Sequence, residues 1–257
     1  MEQYELIQVG IGGPVCPIEL NQPPLNIMDI AMMGEIQTAL QEADADPAVR
    51  VIAFRGAGPK AFSAGVSIQD HTPDRIEEMI RCFHSIFRHL ARTDKVTLAV
   101  VHGHCLGGGF ELASMCDLVV ASEDAQFGQP EIKLGQLAPV GVILLPHLIG
   151  YRKAAELLLT GNTISAQQAQ ALGIVNRLAA PEHLSQCADE LLRELLAQSG
   201  SALRLTKTIL RRVAGLDFER ALAESEEFFL ATLAKTEDAQ EGVLAFLEKR
   251  AARWTNR

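Results

Sequence analysis

The run His102-Gly103-His104-Cys105-Leu106-Gly107-Gly108-Gly109-Phe110-Glu111 sets three consecutive glycines beside a carboxylate. Glycines between a strand and a helix let backbone N–H groups approach a ligand that any Cβ would block. At a helix start those groups are unpaired and favour negative charge. Glu111 stands three residues after Gly108, the middle glycine. An acid in a first helical turn is ordinarily a dipole partner worth about 0.3–1 kcal/mol. Beside donors aimed at developing negative charge, it outlines an acid/base site. A tight turn with a dipole-matched acid is the simpler account of the same residues. Glu131 follows Pro130, whose fixed φ presents the carboxylate from a stiffened backbone. Taken alone, Glu131 reads first as a solvated loop acid.

These residues need elements to position them. Val96 to Val101 is an apolar run that reads as a buried strand leading into the glycines, and Leu112 to Met115 reads as helix after them. Upstream, Tyr4–Gly10 and Val15–Leu20 alternate as two strands around the turn Gly12-Gly13-Pro14. Asp29 can cap a helix carrying Ile30, Met33, Ile36 and Leu40 on one face. Val49–Arg55 is a short strand, and Lys60–Ile68 is small, glycine-bearing and weakly patterned. A helix follows from about Asp74 to Arg92; its stripe Ile76, Met79, Ile80, Phe83, Ile86, Phe87 and Leu90 reads as core packing without chemistry. Leu118–Ala121 is a further strand and Gln126–Gly135 a loop. Beyond Val140 no convincing strand pair appears. Helices are expected over 152–159, 166–172, 182–197, 202–213, 218–234 and 237–253, with one short extended piece near Ile174–Leu178. Strand–helix alternation in the first half implies parallel pairing with right-handed crossovers.

The totals narrow the class. The chain has 257 residues, 48% of them hydrophobic, enough for one large domain or a domain with a helical appendage. A net charge of −9 argues against a nucleic-acid partner and an anionic membrane surface. Cys16, Cys82, Cys105, Cys116 and Cys187 form no CxxC pair, which fits free thiols in a reducing compartment. The acidic start Met1-Glu2-Gln3-Tyr4-Glu5 lacks the pattern of a signal peptide, and no apolar stretch approaches membrane-spanning length. The expectation is a cytoplasmic protein with no metal site.

Several segments, in order and spacing, resemble the crotonase (enoyl-CoA hydratase/isomerase) superfamily. They are Phe62–Ile68, His104–Ala113, Cys116-Asp117, Gln126–Gly135, Leu159-Thr160-Gly161, Ala171–Val175 and Glu241-Gly242 with Phe246–Lys249. The resemblance covers nearly the whole chain. It implies an α/β fold, a crotonase-like spiral of ββα units over residues 1–195, followed by a helical trimerisation region over 196–257. It implies a homotrimer or a homohexamer built as a dimer of trimers, an acyl-CoA thioester as substrate, and no cofactor beyond the coenzyme A that the substrate carries. The oxyanion hole would be the backbone N–H groups of Val66 and Gly108, and the catalytic pair Glu111 and Glu131. Around the thioester the resemblance places Ala64, Gly65, Ile68, Gly107 and Pro130. Lys60 and Lys249 read as contacts to CoA phosphates or as solvated surface lysines.

The chemistry is consistent from first principles. Water adds poorly to a C=C bond unless the resulting carbanion is stabilised. Thioester conjugation spreads that charge onto the carbonyl oxygen, where one preorganised donor is typically worth about 2.7–4 kcal/mol. One carboxylate can deprotonate water, and a neutral carboxylic acid with a raised pKa can return a proton to carbon.

Within the superfamily the chain is similar to the cyclohexa-1,5-diene-1-carbonyl-CoA hydratases of aromatic degradation. The similar pieces are Asn26–Asp29 with Ala31-Met32, Val66-Ser67 with His71–Asp74, Gln136–Pro139 with Leu144–Pro146, and Phe246–Arg250 with Trp254–Arg257. Straight-chain hydratases usually carry Ala-Asp where this chain has Val66-Ser67, and a glycine-rich segment ending in Gln-Arg-Leu where it has Pro139–Leu148. The resemblance therefore implies a proline- and leucine-rich loop shaping a flat ring pocket, and 6-hydroxycyclohex-1-ene-1-carbonyl-CoA as product. His71 could touch substrate or be an ordinary loop residue. His102 and His104 read as structural, Cys105 and Cys116 as small buried residues, and Ser63 and Ser67 lack the context of a hydrolase nucleophile. The alternatives are a general short-chain enoyl-CoA hydratase or isomerase, a CoA-ester ring hydrolase, and a binding protein that keeps the fold without catalysis. Both acids and the absence of a basic stripe weigh against the last.

Overall fold

The computed structural model describes residues 4–10 and 12–257; the start Met1-Glu2-Gln3 lies outside them. The chain divides into two compact units. One runs to Thr93 and resumes over Thr97–Asp189; the other takes Asp94–Val96 and Glu190–Arg257.

The larger unit opens with an antiparallel pair, β1 (Ile7–Val9) and β2 (Val15–Leu20). Helix α1 (Ile30–Ala45) begins where expected, with the Asp29 carboxylate accepting from the Met32 N–H at 2.8 Å. From there the chain repeats a strand–strand–helix unit: β3 (Val51–Gly56), β4 (Ala61–Ser63) and α2 (Ile76–Leu90); then β5 (Val96–Val101), β6 (His104–Leu106) and α3 (Gly108–Met115). β7 (Leu118–Ser122) and β8 (Gln126–Gly128) start a third turn, continued by a 3-10 turn over Pro130–Leu134 and by α4 (Gly141–Ile149) and α5 (Tyr151–Thr160). With two later strands, β9 (Thr163–Ser165) and β10 (Arg177–Ala179), the first strand of each repeat joins a six-stranded sheet ordered β1-β2-β3-β5-β7-β10, and the second a four-stranded sheet ordered β4-β6-β8-β9. β4, β6 and β8 are mutually parallel neighbours. This is the expected ββα spiral.

Four features of the sequence reading change. The glycine run does not follow β5 directly, because His104–Leu106 forms β6 first and α3 already starts at Gly108. Gln126–Gly135 is not a loop but β8 and a 3-10 turn. The expected loop at Pro139–Leu148 is mostly helix α4, with Pro146 inside it. Strand pairing also continues past Val140: β9 (Thr163–Ser165) runs antiparallel to β8, and after α6 (Ala166–Ala171), β10 (Arg177–Ala179) runs parallel to β7. Three-residue strands are too short to display a period, which is why the second sheet escapes pattern reading.

Phe54, Phe62, Phe110 and Phe127 are among the largest fully buried side chains. Phe110 of α3 meets Phe127 of β8 edge to face, ring centroids 5.5 Å apart, and so fixes the glycine-led helix to the second sheet. The predicted helix over 182–197 is a short 3-10 turn followed by α7 (Leu184–Leu196).

In the smaller unit, α8 (Gly200–Val213), α9 (Phe218–Ala231) and α10 (Glu237–Leu247) follow. The last helix stops six residues before the expected Arg253. The remaining tail is held instead by Asp238, which accepts from Thr255 N (2.7 Å) and Asn256 N (3.1 Å), and by Trp254, which donates to Ala197 O at 2.9 Å. Among the described residues, no helix is long and apolar enough to cross a membrane.

Candidate active site

Three segments leave the carboxyl ends of β4, β6 and β8: Ala64-Gly65-Val66, Gly107-Gly108, and Gln129-Pro130-Glu131. Because the three strands are adjacent and parallel, residues far apart in sequence arrive side by side, the usual place for a site in a parallel sheet. A cavity of about 380 Å³ opens there, and Val66, Gly108, Glu111 and Glu131 all line it. So do Ala64, Gly65, Ile68, His71, Gly107, Pro130 and Pro139. Lys60 is exposed and is not part of the lining, and Lys249, in the smaller unit, is exposed with φ 54°.

The backbone around Val66 is clamped. Ala64 N donates to Leu25 O (2.9 Å), Gly65 N to Ser63 Oγ (3.1 Å) and Ser67 N to Met28 O (3.0 Å). Of these four successive amides, Val66 N–H is the one these bonds do not engage. Gly108 is the first residue of α3, so its N–H has no acceptor inside the helix. The two backbones touch: a Cβ on Gly65 would lie 3.5 Å from Gly108 N. Two unengaged amides therefore border one wall of the cavity.

The acids sit against that wall. Glu111 is 2% exposed, and its Oε1 accepts from Val140 N (2.8 Å) and Gly141 N (2.7 Å), the amides that open α4. Burial raises its pKa from 4.5 to about 7; the charge of Glu131 pushes the same way, and the two amides oppose. Burial also raises the pKa of Glu131. With its amide nitrogen turned inward, Gln129, 1% exposed, donates to both Glu131 oxygens at 3.0 and 3.1 Å and to Gly107 O at 3.3 Å. Both carboxyls line one cavity with raised pKa values, and the charge of Glu131 raises that of Glu111, so their titration belongs to the pair.

A stability test follows from Glu111. Unfolding restores its ordinary pKa, so between about pH 4.5 and 7 the folded chain keeps a proton the unfolded chain has lost. Folded stability falls as pH rises through that window, by roughly 3 kcal/mol once above it. Glu111→Gln keeps an acceptor for the two amides and removes the buried charge. Its Tm should exceed the parent's at pH 8, with the gap closing near pH 4.5. An equal gap at both pH values would rule out a buried charge as the cause.

Sequence reasoning missed several residues. Ile76, Met79, Ile80 and Phe83, read there as pure core, line the cavity. Phe83 reaches Gly108 so closely that a Cβ there would lie 2.8 Å from the ring. A hydrophobic stripe reports an apolar face but not whether side chains or a ligand lie opposite. Leu134, Gln136 and Leu137 also line the cavity, on a segment with no period to flag them. Gln129 carried no signal beyond its place next to Pro130-Glu131. His71 does reach the cavity, with Nδ1 2.8 Å from Ser67 O. Asp70, 1% exposed, braces the turn beneath it through Ile30 N and Arg75. His102 Nε2 lies 2.7 Å from Gly58 O, a structural contact. Cys105 and Cys116 are buried, and none of the five cysteines is in a disulfide.

Parallel ββα repeats wound over two sheets, with paired amides and paired acids at the strand ends, define a crotonase-type fold. The enoyl-CoA hydratase/isomerase family model matches residues 10–257, and the chain belongs to that family. It is 36% identical over 247 residues to the cyclohexa-1,5-dienecarbonyl-CoA hydratase of Thauera aromatica, covering 95% of this chain and 94% of that one. It is 39% identical over 262 residues to a probable enoyl-CoA hydratase of Mycobacterium leprae, covering 99% and 100%. A crystal structure of an enoyl-CoA hydratase subunit from Geobacillus kaustophilus superposes with a TM-score of 0.91 at 37% identity, over the full length of both chains.

Proposed function

We propose that the chain is a hydro-lyase that adds water across a C=C bond conjugated to a CoA thioester. The observation that carries this reading is the meeting, in one cavity, of the Val66 and Gly108 amides with Glu111 and Glu131. The amides donate to the thioester oxygen as charge gathers there. The ionised member of the carboxyl pair takes a proton from water as its oxygen attacks the β carbon. The protonated member returns a proton to carbon, which collapses the enolate and leaves the thioester intact.

The acyl group we assign is a cyclic diene, cyclohexa-1,5-diene-1-carbonyl. Attack at the ring carbon β to the thioester gives a dienolate, and protonation at its far end gives 6-hydroxycyclohex-1-ene-1-carbonyl-CoA. Support comes from the Thauera relative and from apolar walls, Ile76, Met79, Ile80, Leu137 and Pro139, suited to a flat hydrocarbon ring. A short straight enoyl chain is the second reading, favoured by the similarity to the Mycobacterium relative. Cyclic dienoyl-CoA and crotonyl-CoA assayed side by side in ¹⁸O-water decide between them. The expected result is one ¹⁸O in the acyl group, an intact thioester, and a higher kcat/KM for the cyclic ester. A crotonyl preference rejects the ring assignment; thioester cleavage, or isomerisation without oxygen uptake, rejects hydration.

The same reading carries a homotrimer or a dimer of trimers, supported by Phe218, Phe246 and Leu247 of the smaller unit, which are 74%, 84% and 71% exposed. It also assigns Lys60 and Lys249 to the CoA phosphates, supported by their exposure.

A further inference from the structure

We propose that Ser63, backed by Asn26, is a positioning residue that sets both amides of the oxyanion hole. The inference rests on the hydration reading, because it concerns the donors that reading uses. Ser63 is fully buried at the end of β4. Its hydroxyl donates to Asn26 O at 2.8 Å and accepts from Gly65 N at 3.1 Å. The peptide plane after Gly65 carries the Val66 N–H, so whatever fixes Gly65 aims that donor. Gly65 has φ 108°, and its carbonyl is held by Met28 N at 2.9 Å. The Ser63 hydroxyl thus supplies the second handle on a residue with wide conformational freedom.

Ser63 also bears on the other donor. A Cβ on Gly109 would lie 2.8 Å from Ser63 Cβ and 2.5 Å from Ser63 O, so the first turn of α3 rests directly on this side chain and its backbone. One small residue therefore holds Gly65 by a hydrogen bond and Gly109 by contact, and the two hole amides belong to their chain neighbours, Val66 after β4 and Gly108 at the start of α3.

Asn26 makes the support rigid. It is fully buried, adopts φ 49°, and its amide nitrogen donates to Ala57 O (2.9 Å) and Ala61 O (2.8 Å). Its Oδ1 accepts from Gln22 N at 3.1 Å, and its own N–H donates to Gln22 O at 2.9 Å. An asparagine tolerates this backbone better than most residues. With every polar group of its side chain engaged, its carbonyl is a fixed acceptor for Ser63. The reaction needs donors placed where charge develops, and small misplacement is costly.

The test is Ser63→Ala, which removes the hydroxyl and keeps the contact with Gly109. The probe is 4-(dimethylamino)cinnamoyl-CoA, a push–pull thioester whose absorption moves to the red when its carbonyl oxygen is polarised. The expected result is a smaller red shift on binding, a kcat about 10–100-fold lower, and KM within about threefold of the parent. An unchanged red shift and kcat, even with a lowered Tm, overturns the proposal, because a merely structural serine would behave so. If Ser63→Ala does not fold, the nearly isosteric Ser63→Cys, a weaker donor and acceptor, is read the same way: a reduced shift supports the proposal and an unchanged one overturns it. Failure of the underlying reading looks different: the parent protein itself would then bind the probe without a red shift.

Discussion

Glu111→Gln and Glu131→Gln are each expected to lower kcat by about 10²–10⁴-fold while CoA-ester binding survives. The amide of glutamine keeps the size of the side chain and most of its hydrogen bonds but cannot take a proton from water or give one to carbon. For Glu111 the geometry should hardly move, since Gln Oε1 can still accept from Val140 N and Gly141 N. For Glu131 the partner Gln129 can turn its amide to meet the new side chain. The losses should therefore appear in kcat with KM little changed, the mark of an interaction made in the transition state. The double variant should be little worse than the weaker single variant, because two groups that handle one proton do not contribute independently. Retention of kcat by either single variant would remove that acid from the mechanism. A second control lies in pH. In the parent, activity should need one carboxyl protonated and one ionised, giving a bell-shaped profile whose limbs belong to the pair. Each single variant should lose one limb.

How much of this was legible beforehand depended on the kind of signal. The Asp29 cap, the apolar run of β5 and the long stripe of α2 have strong local causes, and each appears close to where pattern reading puts it. The glycine run with Glu111 was legible because glycine has a specific backbone use. Convergence was legible only through the family resemblance, which groups Val66, Gly108, Glu111 and Glu131, and not from local pattern. That Val66, Gly108 and Glu131 border one cavity follows from β4, β6 and β8 lying side by side, and strands of three residues announce neither themselves nor their neighbours. Helix α4 was misread for a different reason. Gly141 and Pro146 both argue against helix in isolation, yet Glu111 accepts the amides at its start and Leu145 is buried in the core. Tertiary contacts overrule local preference there, and the overruling group is a candidate catalytic acid. The residues that aim the site, Ser63, Asn26 and Gln129, are small or neutral polar side chains whose significance lies entirely in what they touch.

Gly107→Ala is expected to cost both stability and activity, for separable reasons. Gly107 has φ 52° and ψ −129°, a combination that L side chains rarely adopt. Forcing alanine into it costs about 1–3 kcal/mol. At about 2–4 °C per kcal/mol for a chain of this size, Tm should fall by several degrees. The second effect is local. The new Cβ would stand 2.9 Å from Glu131 Oε1, closer than a carbon and an oxygen can rest, and the backbone that carries it leads straight into the Gly108 amide. Relief requires Glu131 to swing away from Gln129 or the Gly107–Gly108 peptide to rotate, and either motion separates acid from donor. A displacement near 1 Å is enough for about a 10²-fold loss in kcat. Gly173→Ala provides the control. Gly173 also has a positive φ, 84°, but an added Cβ there meets nothing within 4 Å. It should lose stability by a similar mechanism and keep its kcat. If Gly107→Ala loses only as much as Gly173→Ala, and its kcat at a temperature where both are folded matches the parent's, then the closeness of Glu131 to the glycine turn has no catalytic consequence. If kcat falls while Gly173→Ala keeps its activity, the strand-end glycine is required because it leaves room for the carboxylate beside the amides.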